Sequence, residues 1–121
     1  MKKYNYIAVD FDGTIVEHQF PEIGAPKMDT IEFLRRQHAR GTKIILHTCR
    51  EDMENGKWTG YLTKAIDWCI LNDVPIDEYN TNSGVEFGGR KIYADIYIDD
   101  RAVNVKDISK LEEDLIIGGT D

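Results

Sequence analysis

The stretch from Tyr4 to Thr14, YNYIAVDFDGT, decides the fold because it joins an apolar run to an abrupt polar cluster. The run from Tyr4 to Val9 is rich in β-branched and aromatic residues and is too short for a helix, so it predicts a buried strand. Asp10 and Asp12 follow this run directly. The sequence therefore predicts a polar loop at the carboxyl end of a buried strand.

Predicted helices and strands alternate along the rest of the chain. Apolar residues at helical spacing indicate helices at about 29–40, 62–70 and 107–115, and short apolar runs indicate strands at 43–47, 74–79 and 94–98. Right-handed crossovers between parallel strands place helices on both faces of a sheet. We therefore expect a single domain over residues 1–121 of the α/β class, with a three-layer α/β/α Rossmann-like fold and a central parallel sheet.

Length and composition are those of an ordinary globular chain. It has 121 residues, of which 41% are hydrophobic and 31% charged, and its formal net charge is −7. A negative field repels polyanions, so we expect no general nucleic-acid binding. There is no run of about 18 apolar residues and no signal-peptide core, so we expect a cytoplasmic protein without membrane association. Cys49 and Cys69 lack CxxC spacing, which disfavours a disulfide or a zinc site.

Oxygen-bearing side chains follow three of the predicted strands. Asp10 and Asp12 come after the first, Thr48 after the second, and Asp99 and Asp100 after the last. Because ligands of open parallel sheets bind outside the carboxyl ends of the strands, we expect these side chains to share one crevice. Crowded carboxylates repel one another unless a cation lies between them, and ligands that are all oxygen favour Mg²⁺ over zinc.

These strand ends resemble the motifs of the haloacid dehalogenase superfamily. Residues 10–14 match its first motif, a strand that ends in DxDGT; residues 44–48 match the second, an apolar strand that ends in Thr or Ser; and residues 96–100 match the fourth, an apolar strand that ends in paired acids. Lys91 is our choice for the third motif, a basic residue upstream of the acids, with Arg90, Lys64 and Lys57 as competitors. The matched motifs span about 90 residues in the superfamily's order.

The resemblance implies a phosphatase mechanism. Asp10 would be the nucleophile that forms an aspartyl phosphate, and Asp12 would be the general acid and base. Thr48 would bind a phosphoryl oxygen, and Lys91 would supply positive charge in the transition state. Magnesium would be held by the Asp10 carboxylate, the Asp12 backbone carbonyl and an acid from the pair Asp99 and Asp100, with Asp100 preferred.

Residues beside the motifs are expected to contact the substrate. These are Gly13, Thr14, Cys49 and Arg50. Gly13 would also let the backbone turn away after the strand. His47 lies at the end of a predicted buried strand and is interpreted as structural, and Trp58, in a predicted loop over 51–60, would overhang the pocket or a partner subunit. Assembly into a homo-oligomer stays open.

The chain is similar to the small members of this superfamily that have no cap domain. The intervals 14–29 and 48–91 are too short for a cap, which implies an open pocket. The expected substrate is a phosphorylated small molecule, such as a nucleotide or a sugar phosphate, or a larger phosphorylated substrate. Residues 90–101 also resemble the deoxyribonucleotidases, whose acidic pair is followed by Arg, and this favours nucleotides.

Three other functions share part of this sequence pattern. A phospho-accepting receiver domain has a similar fold, but it carries its acidic pair after the first strand, whereas this chain carries it last. A catalytically weak binding module would be favoured by the loss of Asp10 or Asp12, and both are present. A phosphotransferase would use the same chemistry, but such enzymes generally need a cap to exclude water.

Overall fold

Short strands and two helices alternate in the computed structural model, which describes residues 5–79 and 94–99. In chain order the elements are β1 (Tyr6–Val9), α1 (Met28–Ala39), β2 (Lys43–Leu46), β3 (Met53–Glu54), β4 (Lys57–Trp58), α2 (Tyr61–Leu71), β5 (Glu78–Tyr79) and β6 (Ile96–Ile98). The predicted α/β class with a central parallel sheet is therefore confirmed, and the arrangement is compatible with a Rossmann-like fold.

Within the described residues, the central sheet has four parallel strands in the order β5-β2-β1-β6. On one side of β1, Tyr6 to Val9 pair with Lys43 to Leu46 of β2, and on the other side Val9 pairs with Ile98 of β6. The chain moves outward from β1 through β2 to β5 and then returns to the far side of β1. The strand order therefore reverses between β1 and β6, which is where open α/β sheets bind ligands.

One face of the sheet carries the main core. Ile7 and Val9 of β1 and Ile44 and Leu46 of β2 pack with residues of both helices, namely Ile31, Phe33 and Leu34 of α1 and Ala65 and Cys69 of α2. Both helices lie on this face because two successive right-handed crossovers that advance in one direction place their helices on the same side. Burial also raises the pKa of the Cys69 thiol to about 12.

The opposite face carries a smaller cluster. Side chains alternate along a strand, so Ala8 and Ile45 point away from the main core, and they pack with Tyr6, Ala94 and Tyr97. The helix predicted over 107–115 falls outside the described residues. The third layer of the predicted α/β/α arrangement therefore stays a prediction.

The largest differences from the predicted element boundaries occur in two segments. The strand predicted over 74–79 is reduced to Glu78–Tyr79. Pro75 has no backbone N–H to contribute to the sheet, and the Asp77 side chain accepts the Ile44 N–H at 2.7 Å. The segment predicted as a loop over 51–60 contains the antiparallel hairpin β3-β4. Its turn residues, Asn55 and Gly56, have φ of 52° and 76°, as a type I′ turn requires.

Neither of the two helices in the described part of the chain is long and apolar enough to cross a bilayer. They have 12 and 11 residues.

Candidate active site

A cavity of about 590 Å³ opens at the carboxyl ends of β1, β2 and β6. We call it the site cavity, and its lining consists of Asp10, Asp12, His18, Phe20, Thr48, Cys49, Arg50, Glu54 and Asp99. A larger hollow of about 710 Å³ lies between the carboxyl-terminal ends of α1 and α2, with Asp73 as the one carboxylate in its lining. We place the functional site in the smaller cavity because the polar strand ends converge there.

The loop of residues 10–16, which we call the floor loop, fixes the position of Asp10. The Asp10 N–H donates to the Ile98 carbonyl at 3.0 Å, and the Phe11 N–H donates to Asp10 Oδ1 at 2.8 Å. The Phe11 carbonyl accepts the N–H groups of Thr14, Ile15 and Val16 at 3.2, 2.9 and 3.2 Å. The loop therefore coils into one tight turn directly after β1, with the Asp10 carboxylate at the cavity.

Gly13 and Thr14 shape this turn and are absent from the described lining of the cavity. Gly13 has a φ of 85°, in the region that favours glycine, and its N–H donates to the Val16 carbonyl at 2.8 Å. The Thr14 side chain is completely buried, and its hydroxyl has no hydrogen-bond partner within the described part of the chain. Substrate contact by these two residues stays a prediction.

The segment after β2 brings Thr48 and Cys49 to the cavity. The His47 N–H continues the pairing with β1 by donating to the Val9 carbonyl at 2.9 Å. The buried Thr48 hydroxyl oxygen accepts the Arg50 N–H at 3.1 Å, which closes a local turn. Cys49 is exposed between them. The predicted phosphate-binding position of Thr48 is thus beside Asp10 and Asp12.

Arg50 lies behind Asp12 as a buried ion pair. Its Nε and Nη2 reach the two oxygens of the Asp12 carboxylate at 2.7 and 2.8 Å, and its side chain is 1% exposed. This is the parallel two-bond geometry of strong arginine–carboxylate pairs. The predicted substrate contact of Arg50 stays a prediction, and in this structure its hydrogen bonds hold the protein's own groups.

Two further segments form the walls of the cavity. The loop of residues 17–26 carries His18 and Phe20, and it closes on itself where the Glu17 N–H donates to the Ala25 carbonyl at 2.8 Å. The hairpin of residues 53–58, which we call the hairpin wall, contributes Glu54. These wall residues were not predicted as site residues.

Asp52 anchors the hairpin wall to α2. Its carboxylate accepts the Thr63 N–H at 2.7 Å and the Thr63 hydroxyl at 2.6 Å. These bonds lower the pKa of Asp52, with the side-chain bond from Thr63 as the largest cause. The N–H groups at the start of a helix lack partners within the helix, so this carboxylate caps α2 from outside it.

His47 differs from its predicted structural role. It is exposed at the edge of the sheet, and its ring lies edge-on to Tyr97 with 6.5 Å between centroids. The reason is that β2 ends at Leu46, so His47 falls just beyond the buried part of the strand. It lines a smaller hollow of about 370 Å³ together with Asp10 and Asp99.

The donor chemistry of the site cavity fits a magnesium ion. Asp10 and Asp99 supply carboxylate oxygens, and both Asp12 carboxylate oxygens accept bonds from Arg50. The predicted metal contact of Asp12 is made through its backbone carbonyl. No cluster of three metal-binding side chains occurs within residues 5–79 and 94–99. Magnesium does not need such a cluster, because it is usually bound through one or two carboxylates, waters and substrate phosphate. Lys91 and Asp100 lie outside the described residues.

The site and fold together define a small α/β protein with a carboxylate-lined cavity at the carboxyl edge of a parallel sheet. Comparison with solved structures gives a conserved protein from Bacteroides thetaiotaomicron that is 31% identical, with a TM-score of 0.75 over 99% of this chain and 94% of that one. A Vibrio cholerae protein of known crystal structure is 29% identical, with a TM-score of 0.54 over 90% of this chain and 92% of that one.

The chain therefore belongs to the same family as the conserved Bacteroides thetaiotaomicron protein. Neither similar structure is described by an activity. No model of a known protein family matches the chain, and no curated protein matches it either.

Proposed function

We propose that this protein is a magnesium-dependent phosphatase that hydrolyses phosphate monoesters through an aspartyl phosphate on Asp10. The observation that carries the proposal is the meeting of Asp10, Asp12, Thr48 and Asp99 in one cavity at the point where the strand order reverses. Two carboxylates two residues apart can divide nucleophilic and acid–base work. An adjacent hydroxyl can bind the phosphoryl group between them.

The proposal includes membership of the haloacid dehalogenase superfamily. Its support is that three strand ends with the motif residues adjoin one another in the sheet order β2-β1-β6. Val9 pairs with both Leu46 and Ile98, so the residues that follow these three positions start from the same level of the sheet. A receiver domain would need its phosphate acceptor after a central strand and its acidic pair after the first.

The reaction has two steps. An Asp10 carboxylate oxygen attacks phosphorus, the bond from phosphorus to the ester oxygen breaks, and the leaving oxygen takes a proton from the Asp12 carboxyl group. Asp12, now a carboxylate, then takes a proton from a water whose oxygen attacks the same phosphorus. The bond from phosphorus to Asp10 breaks, which releases inorganic phosphate and returns both acids to their starting states.

The chain's own groups bind and orient the phosphate in this scheme. Thr48 hydrogen-bonds a phosphoryl oxygen, and the hydrogen bond from the Phe11 N–H to Oδ1 orients the Asp10 carboxylate for attack. Asp10, the Asp12 carbonyl and Asp99 would hold magnesium, which neutralises charge on the phosphate and the carboxylates when bound. Lys91 and Asp100 keep their predicted roles as transition-state cation and metal ligand.

The openness of the site to water favours hydrolysis over transfer to another acceptor. His18, Phe20 and Glu54 are exposed residues of its lining, so water and a substrate of some size can both enter. Nucleotides and sugar phosphates are the proposed substrates, with larger phosphorylated molecules as the alternative. The wall residues, rather than the floor loop, would select among them.

The test is hydrolysis of para-nitrophenyl phosphate with magnesium, with EDTA, and by the Asp10→Asn variant, each checked for folding by circular dichroism. Asp67→Asn is the matched control, because Asp67 is exposed on α2 and lies outside the site cavity. We expect activity that needs both magnesium and Asp10 and is unchanged in the control. A folded Asp10→Asn protein with wild-type turnover would exclude the mechanism.

A further inference from the structure

The guanidinium of Arg50 has a protein acceptor for every N–H group that it carries. Nε and Nη2 donate to the two Asp12 oxygens, and Nη2 also donates to the Glu22 carbonyl at 3.0 Å. Nη1 donates to the carbonyls of Pro21 and Tyr61, both at 3.3 Å. An arginine has five N–H donors, and these five bonds use all of them.

Two aromatic rings contact the same guanidinium. The central carbon of the guanidinium lies 5.2 Å from the centroid of the Phe11 ring and 5.0 Å from that of Phe20. Both distances are within the range of cation–π attraction. Phe11 belongs to the floor loop and Phe20 to the 17–26 loop, and Phe20 also packs edge-on to Tyr61 at 5.1 Å. The guanidinium is therefore fixed in position and in plane.

Arg50 thus joins three segments: the floor loop at Asp12, the 17–26 loop at Pro21 and Glu22, and the start of α2 at Tyr61. A substrate cannot take a hydrogen bond from this side chain unless one of these bonds breaks. The carboxylate that the Arg50 side chain pairs with is that of Asp12, through one bond to each of its oxygens.

We propose that Arg50 is a positioning residue that fixes the Asp12 carboxyl group for proton transfer to the leaving oxygen, an inference that depends on the proposed phosphatase function. An ionised carboxylate has about four lone-pair positions. The hydrogen bonds from Arg50 Nε and Nη2 occupy two of these positions. The proton that Asp12 donates and accepts is therefore carried at one of the remaining positions. Because these two bonds fix the plane of the carboxylate, they also fix the direction of the remaining lone pairs.

This role predicts a dependence on the leaving group. Para-nitrophenol leaves without much help from an acid, whereas an alkoxide needs a proton as the bond breaks. For para-nitrophenyl phosphate and the similarly sized benzyl phosphate, kcat/KM reports the steps through release of the first product. It is therefore insensitive to the later hydrolysis of the aspartyl phosphate.

The experiment compares these two substrates in Arg50→Lys and Arg50→Met, with Arg35→Lys as the matched control. Arg35 also donates to two backbone carbonyls, those of Asn72 and Asp73, but it lies away from the site cavity. We expect kcat/KM for benzyl phosphate to fall about 100-fold in the Arg50 variants, since small misplacement of an acid costs that much. For para-nitrophenyl phosphate we expect a loss of about fivefold or less, and no change in the control.

A second measurement separates positioning from general damage. If Arg50 acts through Asp12, Arg50→Lys in an Asp12→Asn background causes no further loss with benzyl phosphate, whereas damage to the fold would add its own loss. If neither Arg50 variant folds, Phe20→Leu decides, because Phe20 is 42% exposed and its removal loosens the guanidinium from one side. It should lower the benzyl-to-nitrophenyl ratio of kcat/KM in the same direction and cause no further loss in the Asp12→Asn background, whereas a direct effect of Phe20 on substrate binding would persist there.

The positioning role is overturned if the wild type is active and the folded Arg50 variants keep its benzyl-to-nitrophenyl ratio of kcat/KM. The same holds for Phe20→Leu where it replaces them. Either result leaves the phosphatase function intact. Equal losses with both substrates, or additive losses in the Asp12→Asn background, would also overturn the positioning role. A wild type that hydrolyses neither substrate nor any phosphorylated metabolite would overturn the phosphatase function and this inference with it.

Discussion

The floor loop and the hairpin wall border the same cavity but are stabilised in opposite ways. In the floor loop, Phe11, Thr14, Ile15 and Val16 are completely buried, and one carbonyl accepts three N–H groups. In the hairpin wall every residue from 53 to 58 is exposed, and two residue pairs form its ladder. The comparison teaches that buried packing fixes the loop that carries Asp10 and Asp12, whereas the exposed wall is free to vary in sequence.

The largest expected effect follows from removing one aromatic ring from each region. Phe11→Ala should lower the free energy of unfolding by about 3–5 kcal/mol, because the ring is completely buried and packs edge-on to Trp68. Trp58→Ala should change it by about 0.5 kcal/mol or less, because Trp58 is 67% exposed. Urea unfolding followed by circular dichroism measures both, and equal losses would remove the contrast between the two regions.

The wall loop of residues 17–26 allows a sharper version of the comparison. A Cβ atom on Gly24 would collide with the Glu17 carbonyl oxygen and would lie 2.8 Å from its carbon. We expect Gly24→Ala to lower the free energy of unfolding by about 1–3 kcal/mol, as overpacking does. Gln19→Ala, an exposed change in the same loop, is the control. If Gly24→Ala were as stable as the control, this loop would tolerate substitution as the hairpin wall does, and the expected loss would be wrong.

The smallest expected effect concerns the anchor of the hairpin wall and depends on pH. The pKa of Asp52 is lowered in the folded protein by its bonds to Thr63. Its stabilisation is therefore fully present above the unfolded pKa of about 4 and is lost as the pH falls through the folded value. Asp52→Asn should lower Tm at neutral pH, and its difference from wild type should shrink in acid. A difference between the Tm values of Asp52→Asn and wild type that is constant with pH would contradict this account.

The sequence predicts the carboxyl end of the sheet better than it predicts the walls of the cavity. Asp10, Asp12, Thr48 and Asp99 could be placed together because each follows an apolar run and parallel strands end at one edge. The ion pair of Arg50 could not be predicted, since its acceptors come from three segments that only the folded chain brings together. Substrate contact by Arg50 stays a prediction, and it requires that one of the bonds that Arg50 makes within the protein be broken.

The hairpin wall was missed for a different reason. Asn55 and Gly56 are a strong turn signal, but the strands on either side have two residues each, which is too short for an alternating pattern to stand out. The sequence places His47 in a buried strand that is predicted to end at residue 47. The strand ends one residue earlier, at Leu46, and His47 is therefore exposed. Errors of one residue at an element boundary therefore decide whether a side chain belongs to the core or to the site.

The most direct test of the central claim is to locate the phosphoryl group during turnover. Wild-type protein is mixed with magnesium and para-nitrophenyl phosphate, quenched in acid, digested and mapped by mass spectrometry. We predict one phosphoryl group, carried on Asp10, which disappears in Asp10→Asn. Phosphate release without a phosphorylated Asp10, or with the phosphoryl group on another residue, would contradict the account.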